Sequence, residues 1–373
     1  MYSYKKRPNK IKRFFSLLFL MILVSAISIF IYQMYENIEV QDYEIKENDM
    51  QVSRVSIQKE EKKEMENVIS EAVKSVVGIS KIKNSGLSVL NVNAEKELGL
   101  GSGIIITDNG YIATNWHVTG DKYSNCYVTL DNGNIYNGSV VWADKDLDLS
   151  IVKIQANGLK NIEIGDSDAL KLGEEVYAIG NPIGIEFERT VTKGIISGLN
   201  RTLKIEDEFG ESYMEDLIQT DATINNGNSG GPLINSSGEV IGITTIKITS
   251  AEGIGFAVPI KAIKTIIEKF ATESKFEEAY LGIFAYDKEV IPYLKTGIKF
   301  DFGIYVVKVM PDGPLREAGI KEGDIITKID DTVINKMSEL KEYVYNKKPQ
   351  DEIALTINRN GREYTVKATL GRK

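Results

Sequence analysis

Residues 14–35 are uncharged and mostly apolar all round. In a helix, twenty-two such residues span roughly 33 Å, enough for a bilayer core. Residues 36–60 are charged, have no strong apolar period, and read as a stalk. Met65, Val68, Ile69, Ala72, Val73 and Val76 then recur at three- and four-residue steps. That stripe predicts an amphipathic helix leading into a strand over 76–79. From Gly99 short strands alternate with turns. Asn109-Gly110, Asn132-Gly133 and Asn137-Gly138 are hairpin signals, because type I′ turns need positive φ at both central positions. Such spacing without long helical periods predicts antiparallel barrels, one over 99–156 and one over 171–258. Residues 81–98 read as a loop, and the polar, acidic residues 201–216 as another. Ile260, Ile263, Ile266, Ile267 and Phe270 form the stripe of a closing helix over 259–270, followed by a polar linker at 271–278. Beyond it, 338–346 predicts a helix, and Asn360-Gly361 turns the last hairpin.

Composition narrows the classes. At 373 residues and roughly 150 per domain, two to three domains are expected. Net charge is −8, with six Lys/Arg and no acid in residues 1–13 and no charge in 14–35, so the remainder carries −14. An acidic body argues against nucleic acid as a partner. The basic tail ahead of the apolar run places 1–13 in the cytoplasm and everything after 36 outside. A cleaved signal peptide fits less well, since its apolar region is usually about 7–15 residues with a small-residue exit. Tyr32 and Tyr35 suit the interface. The single cysteine, Cys126, excludes an internal disulfide and reads as a small buried apolar residue. One His and one Cys do not furnish a zinc site. Neither a metal nor a cofactor is expected.

Candidate chemistry centres on residues 224–233, Ile-Asn-Asn-Gly-Asn-Ser-Gly-Gly-Pro-Leu. Ser229 stands among three glycines, which permit positive φ and close backbone approach. A glycine two residues before a serine lets successive N–H groups converge, as an oxyanion hole requires. A Gly/Asn-rich turn would look the same. Serine needs a general base, and His117 is the only histidine. The group orienting that base is Asp148, which directly precedes the apolar run from Leu149 to Ile154, with Asp146 as competitor. Order along the chain discriminates. Gly227-Asn228-Ser229-Gly230-Gly231 fits the Gly-x-Ser-x-Gly elbow, but that fold places its His after the Ser, and none follows Ser229. An Asp-His-Ser order remains formally open, for example with Asp108. His117, Asp148, Ser229 is the chymotrypsin order.

Residues 114–118 (Thr-Asn-Trp-His-Val), 148–154 (Asp-Leu-Ser-Ile-Val-Lys-Ile) and 227–233 (Gly-Asn-Ser-Gly-Gly-Pro-Leu) together resemble the three motifs of the HtrA (Deg) serine proteases. Gly101-Ser102-Gly103, Gly180-Asn181-Pro182, Gln219-Thr220-Asp221-Ala222 and the run 253–259 agree, and the similarity extends from about Val68 to the C-terminus. The resemblance implies a mainly β fold: two antiparallel six-stranded chymotrypsin-like barrels, then one α+β PDZ domain, behind an N-terminal transmembrane helix. Domain limits follow as 1–13 cytoplasmic tail, 14–35 span, 36–60 stalk, 61–270 protease, 271–278 linker and 279–373 PDZ domain. It implies His117, Asp148 and Ser229 as a triad, with the amides of Gly227 and Ser229 as the oxyanion hole. Tyr280-Leu281-Gly282-Ile283 matches the PDZ loop that nests a C-terminal carboxylate, with Leu340 and Val344 on the groove helix. Implied partners are unfolded or misfolded proteins, C-terminal peptides and the membrane, in a homotrimer. Asn228 stands where digestive trypsins carry an Asp that pairs with a new N-terminus, so control is expected from loops around 182–190 and 199–216 and from PDZ occupancy. Thr223 replaces the Asp that selects basic residues, so small aliphatic residues are the expected cleavage sites. The competing classes are a tethered PDZ binding module or holdase with an unused triad, and an esterase.

Overall fold

A computed structural model of the chain describes residues 10–36, 64–82, 98–181, 190–207, 210–225, 227–247, 253–294 and 298–373. Two units are distinct, Met1–Lys62 and Lys63–Lys373. The first contains α1 (Lys10–Glu36), in which Phe14–Gln33 is long and apolar enough to cross a membrane. The side chains of that stretch are exposed. The expected tail at 1–13 mostly, and the expected stalk beyond Glu36 wholly, fall outside the described residues.

In the second unit the stripe from Met65 to Val73 forms α2 over residues 64–73. It feeds β1 (Val76–Ile82), which pairs with β2 (Leu98–Ile105). Next come β3 (Tyr111–Thr114), the one-turn α3 (Trp116–Thr119), β4 (Asn125–Thr129), β5 (Ile135–Asp144) and β6 (Leu149–Ile154). These six strands close an antiparallel barrel in the order β1-β2-β3-β6-β5-β4. A second closed barrel is made by β7 (Glu175–Gly180), β8 (Thr190–Asp207), β9 (Gly210–Thr220), β10 (Pro232–Ile234), β11 (Val240–Lys247) and β12 (Gly255–Pro259). Its order, β7-β8-β9-β12-β11-β10, repeats that of the first. No internal repeat is visible in the sequence, because barrel closure needs alternation and turns rather than particular residues.

Each barrel has its own interior. Val77, Ile79, Ile112, Val128, Val140 and Val152 fill the first; Val176, Ala178, Ile196, Ile218, Leu233 and Ile241 fill the second. A third core lies outside both, where Ile104, Trp142, Ile151, Ile179 and Ile243 meet α4 (Lys261–Glu273). Ile263, Ile266, Ile267 and Phe270 are the buried face of α4, each contributing roughly 1.5–3 kcal/mol by burial.

The C-terminal part is α+β. Its main sheet runs β14 (Ile283–Tyr286), β15 (Ile304–Val309), β16 (Ile325–Ile329), β18 (Glu352–Arg359), β19 (Arg362–Thr369), with β17 (Thr332–Val333) on β16. β13 (Ala279–Tyr280) pairs with β20 (Gly371–Arg372). α5 (Pro314–Glu317) and α6 (Met337–Asn346) flank the sheet. Asn360 and Gly361 both have positive φ, as a type I′ turn requires.

Three expectations need correction. The first barrel begins at Val76, not at residue 99, because β1 closes it by pairing with both β2 and β4. Asn137-Gly138 is no turn but lies inside β5. A Cβ on Gly138 would meet Val152 Cγ1 at 2.6 Å, so this glycine serves close packing in the barrel. Residues 201–207 and 210–216 form a paired strand ribbon rather than a loop, with Leu203 opposite Met214 and Lys204 opposite Tyr213. Tyr213 and Met214 are buried there. The polar composition hid a strand pair with apolar residues on both faces: Met214, Leu203 and Ile205 join the third core, and the Tyr213 ring packs on those of Tyr286 and Tyr293 at 5.5 and 5.7 Å.

Candidate active site

His117 and Asp148 come from the same end of one antiparallel strand pairing. β3 lies beside β6, with Thr114 opposite Ser150. α3 starts just after β3, and Asp148 stands just before β6. Asp148 takes φ +52° as the turn from Lys145 closes, a conformation that Asp tolerates better than most residues. Its carboxylate is buried and receives three groups of donors. The His117 backbone N–H donates to Oδ1 at 3.0 Å, and His117 Nδ1 lies 2.8 Å from Oδ2. The Thr245 hydroxyl donates to Oδ2. Pairing Nδ1 with a carboxylate sets the imidazole tautomer and leaves Nε2 as the basic nitrogen. The His117 side chain is 44% exposed and Asp148's is 10% exposed, so the pair is open on the histidine side.

Ser229 arrives from the second barrel. Its loop is pinned to the first by Ser102, whose amide donates to the Ser229 carbonyl at 2.8 Å and whose hydroxyl donates to the Gly227 carbonyl. The Asn181 amide in turn donates to the Ser102 hydroxyl. Gly230, at φ +85°, sits so close to β2 that a Cβ would lie 2.2 Å from the Ser102 carbonyl. Any other residue there would push the two barrels apart. The Ser229 hydroxyl donates to the Thr245 carbonyl at 3.0 Å rather than to His117. The amides of Asn228, Gly230 and Gly231 are engaged by carbonyls within the protein. Among the described residues, those of Gly227 and Ser229 meet no acceptor. Two free amides two residues apart beside a serine hydroxyl can hold an oxyanion.

The alternatives separate on geometry. Asp146 lines a cavity with Tyr286 and Lys341, away from the His117 partners. Asp108 is exposed in the turn between β2 and β3. Cys126 is no nucleophile, because burial pushes its thiol up to about 11. Among the described residues no group of three or more His, Cys, Asp or Glu could hold a metal. Thr245 and Ser102 are functional contacts that sequence reasoning missed. Ser102 lies in a noted glycine motif, but Thr245 carries no local signal, since its role depends on β11 passing the end of β6.

At the C-terminal loop, the Met310 amide donates to the Gly282 carbonyl and the Leu315 amide to the Leu281 carbonyl. Among the described residues no acceptor faces the amides of Leu281 or Gly282. Gly282 has φ +76°. Beside it, a cavity of about 290 Å³ lies between β14 and α6, with Tyr280, Ile283, Leu340 and Val344 in its wall. Asp144 and Asp146 of the first barrel border the same cavity. The expected control loop at 182–190 lies outside the described residues apart from Thr190, and most of the other one is the β8–β9 ribbon.

A trypsin-like peptidase domain model matches residues 101–243, and a PDZ domain model matches residues 240–370. Serine protease Do-like HtrB of Bacillus subtilis is 35% identical over 322 residues, covering 82% of this chain and 70% of the relative. A probable periplasmic serine endoprotease, DegP-like, of Marinomonas sp. is 37% identical over 274 residues, covering 73% of this chain and 56% of the relative. Among solved structures, the HtrA-type protease AlgW with tripeptide matches at a TM-score of 0.61 and 32% identity, over 83% of this chain and 97% of that one.

Proposed function

This chain belongs to the HtrA (Deg) family of trypsin-like serine proteases with a PDZ domain, and is a serine endopeptidase; on that premise we propose how it works and where. It acts as a membrane-anchored, extracytoplasmic protease that degrades misfolded or damaged proteins. Ser229, His117 and Asp148 form the triad. The observation that carries this reading is the buried Asp148 carboxylate holding His117 Nδ1, beside a serine whose own amide and that of Gly227 meet no acceptor among the described residues. Ser229 Oγ attacks the peptide carbonyl carbon, and its proton passes to His117 Nε2. The tetrahedral oxyanion is held by the Gly227 and Ser229 amides. The C–N bond then breaks, His117 returns the proton to the leaving amine, and water hydrolyses the acyl-enzyme by the same steps. The Ser229 hydroxyl bonded to the Thr245 carbonyl is read as the resting rotamer, which turns to His117 when the site engages.

The proposed limits are a cytoplasmic tail (1–13), span (14–35), stalk (36–60), protease (61–270), linker (271–278) and PDZ domain (279–373). The two six-stranded barrels then correspond to the chymotrypsin-like pair. The charge step ahead of the apolar helix supports an N-terminus inside the cell, and the periplasmic relative supports an extracytoplasmic protease. The PDZ domain nests C-terminal carboxylates on Tyr280-Leu281-Gly282-Ile283 and regulates cleavage; the assembly is a homotrimer.

Fluorophosphonate labelling of the full-length chain, beside Ser229→Ala, tests this reading. Wild type is expected to label, Ser229→Ala not, and unfolded protein to increase the rate. No labelling under any condition would leave the tethered binding module or holdase as the better account.

A further inference from the structure

Asn115 is fully buried and holds the N-cap position of α3, yet its side chain caps nothing there. An N-cap Asn ordinarily accepts from the second or third helical amide. In α3 the second amide is that of His117, and Asp148 Oδ1 takes it at 3.0 Å. The Asn115 side chain instead crosses to the other strand, where Nδ2 donates to the Asp148 backbone carbonyl at 2.9 Å. The two residues thus exchange duties. The Asp148 carboxylate caps the helix carrying His117, and the Asn115 amide caps the peptide carrying Asp148.

The other end of Asn115 shows that this contact is not incidental. Oδ1 is buried and has no hydrogen-bond partner among the described residues. Leaving a buried acceptor unsatisfied is a cost that an apolar side chain would avoid. Rotating the amide by half a turn would set Oδ1 against the Asp148 carbonyl, oxygen to oxygen, so the orientation is fixed by chemistry. The Asn115 carbonyl is held as well, by the Ser150 hydroxyl at 3.2 Å. Asp148 has φ +52°, a conformation that a non-glycine residue keeps only where its surroundings hold it. The Lys145 carbonyl holds its amide, and the Asn115 side chain holds its carbonyl.

We propose that Asn115 is a positioning residue: its side-chain amide fixes the Asp148 peptide and thereby the Asp148 carboxylate against the His117 ring. This rests on the triad reading above. Misplacing a catalytic group by about 1 Å costs on the order of 10²-fold, so Asn115→Ala is expected to lower kcat about 10²-fold with KM on a peptide substrate held within about twofold.

The test uses the full-length protein in detergent. kcat and KM are measured for wild type, Ser229→Ala and Asn115→Ala, with the His117 Nδ1 proton followed by NMR. The chain has one histidine, so that far-downfield line has one source. The expected result for Asn115→Ala is reduced kcat, near-constant KM and a weakened or upfield-shifted line. A lower Tm with kcat and the line unchanged overturns the proposal. If the alanine variant does not fold, Asn115→Ser decides by the same readouts, since its hydroxyl stops one bond short of the carbonyl. An active Ser229→Ala would overturn the triad reading, and this proposal with it. An inactive Ser229→Ala beside a fully active Asn115→Ala overturns this proposal alone.

Discussion

Asp144 and Asp148 lie four residues apart at the β5–β6 turn, and both are buried. They do different things because their partners differ. Asp148 receives the His117 and Thr245 donors, all within the protease. Asp144 faces the C-terminal domain: Tyr345 donates to it at 3.0 Å, while Lys341 and Lys373 lie 3.5 and 3.9 Å away. Burial pushes the Asp144 carboxyl up, but the two lysines, the Leu147 amide and Tyr345 outweigh it and hold it at about 2. A carboxylate opposite fixed cations is a strut. A carboxylate opposite an imidazole responds when the ring gains a proton, which is what general-base catalysis requires. The turn between them joins the strut to the His117–Asp148 pair, so α6 is anchored one turn away from the proposed chemistry.

The comparison can be broken from the chemical side first. Ser229→Ala is expected to lower kcat by roughly 10⁶-fold, by analogy with another serine protease; residual proteolysis within 10²-fold of wild type would remove the serine mechanism. Asp148→Asn should cost about 10⁴-fold in kcat by stabilising the wrong tautomer, with little change in Tm. A large loss of stability with modest loss of kcat would make Asp148 a strut like its neighbour.

Asp144→Asn should show the opposite split. It should destabilise by about 1–3 kcal/mol in denaturant titration and change kcat by less than about tenfold. The Asp144 carboxyl is lower in the folded protein than its ordinary 3.8, so its contribution is present above about pH 4 and is lost as pH falls towards about 2. The gap between wild type and Asp144→Asn should therefore close on acidification across that window. A gap independent of pH would show that the charge is not what Asp144 contributes.

The smallest effect on kcat is expected at Glu215, where the ribbon meets the C-terminal domain. Its carboxylate accepts from the Asp287 amide at 3.2 Å. Burial, then the Asp287 charge, push the Glu215 carboxyl well above the carboxylate range. A raised acid opposes the folded state once the unfolded chain has ionised, so stability should fall as pH rises from about 5 to 8. Glu215→Gln should flatten that slope in Tm. Equal slopes in both proteins would mean that Glu215 ionises freely at the junction.

Much of this molecule is legible without coordinates. The apolar helix α1, the α2 and α4 stripes and the Asn360-Gly361 turn follow from apolar period and glycine chemistry, which act locally. The order of His117, Asp148 and Ser229 with their flanking residues pointed to the reaction class, because a nucleophile, a base and an orienting acid each demand a residue type. Arg201 to Asp216 misled, since its strands are held by each other and by Tyr286 and Tyr293, residues about seventy positions away. Asn137-Gly138 misled because one dipeptide can serve a turn or a close contact, and only the Val152 side chain across the barrel decides which.

By itself, then, the sequence determined where the chain is apolar, where it turns and which reactive side chains it owns, because these depend on near neighbours. That Thr245 and Asn115 hold the two ends of Asp148, that the two barrels share one strand order, and that Asp144 faces α6 emerges only in the folded chain. Those are contacts between residues 30 to 200 positions apart, and no local pattern encodes which distant group will lie within 3 Å.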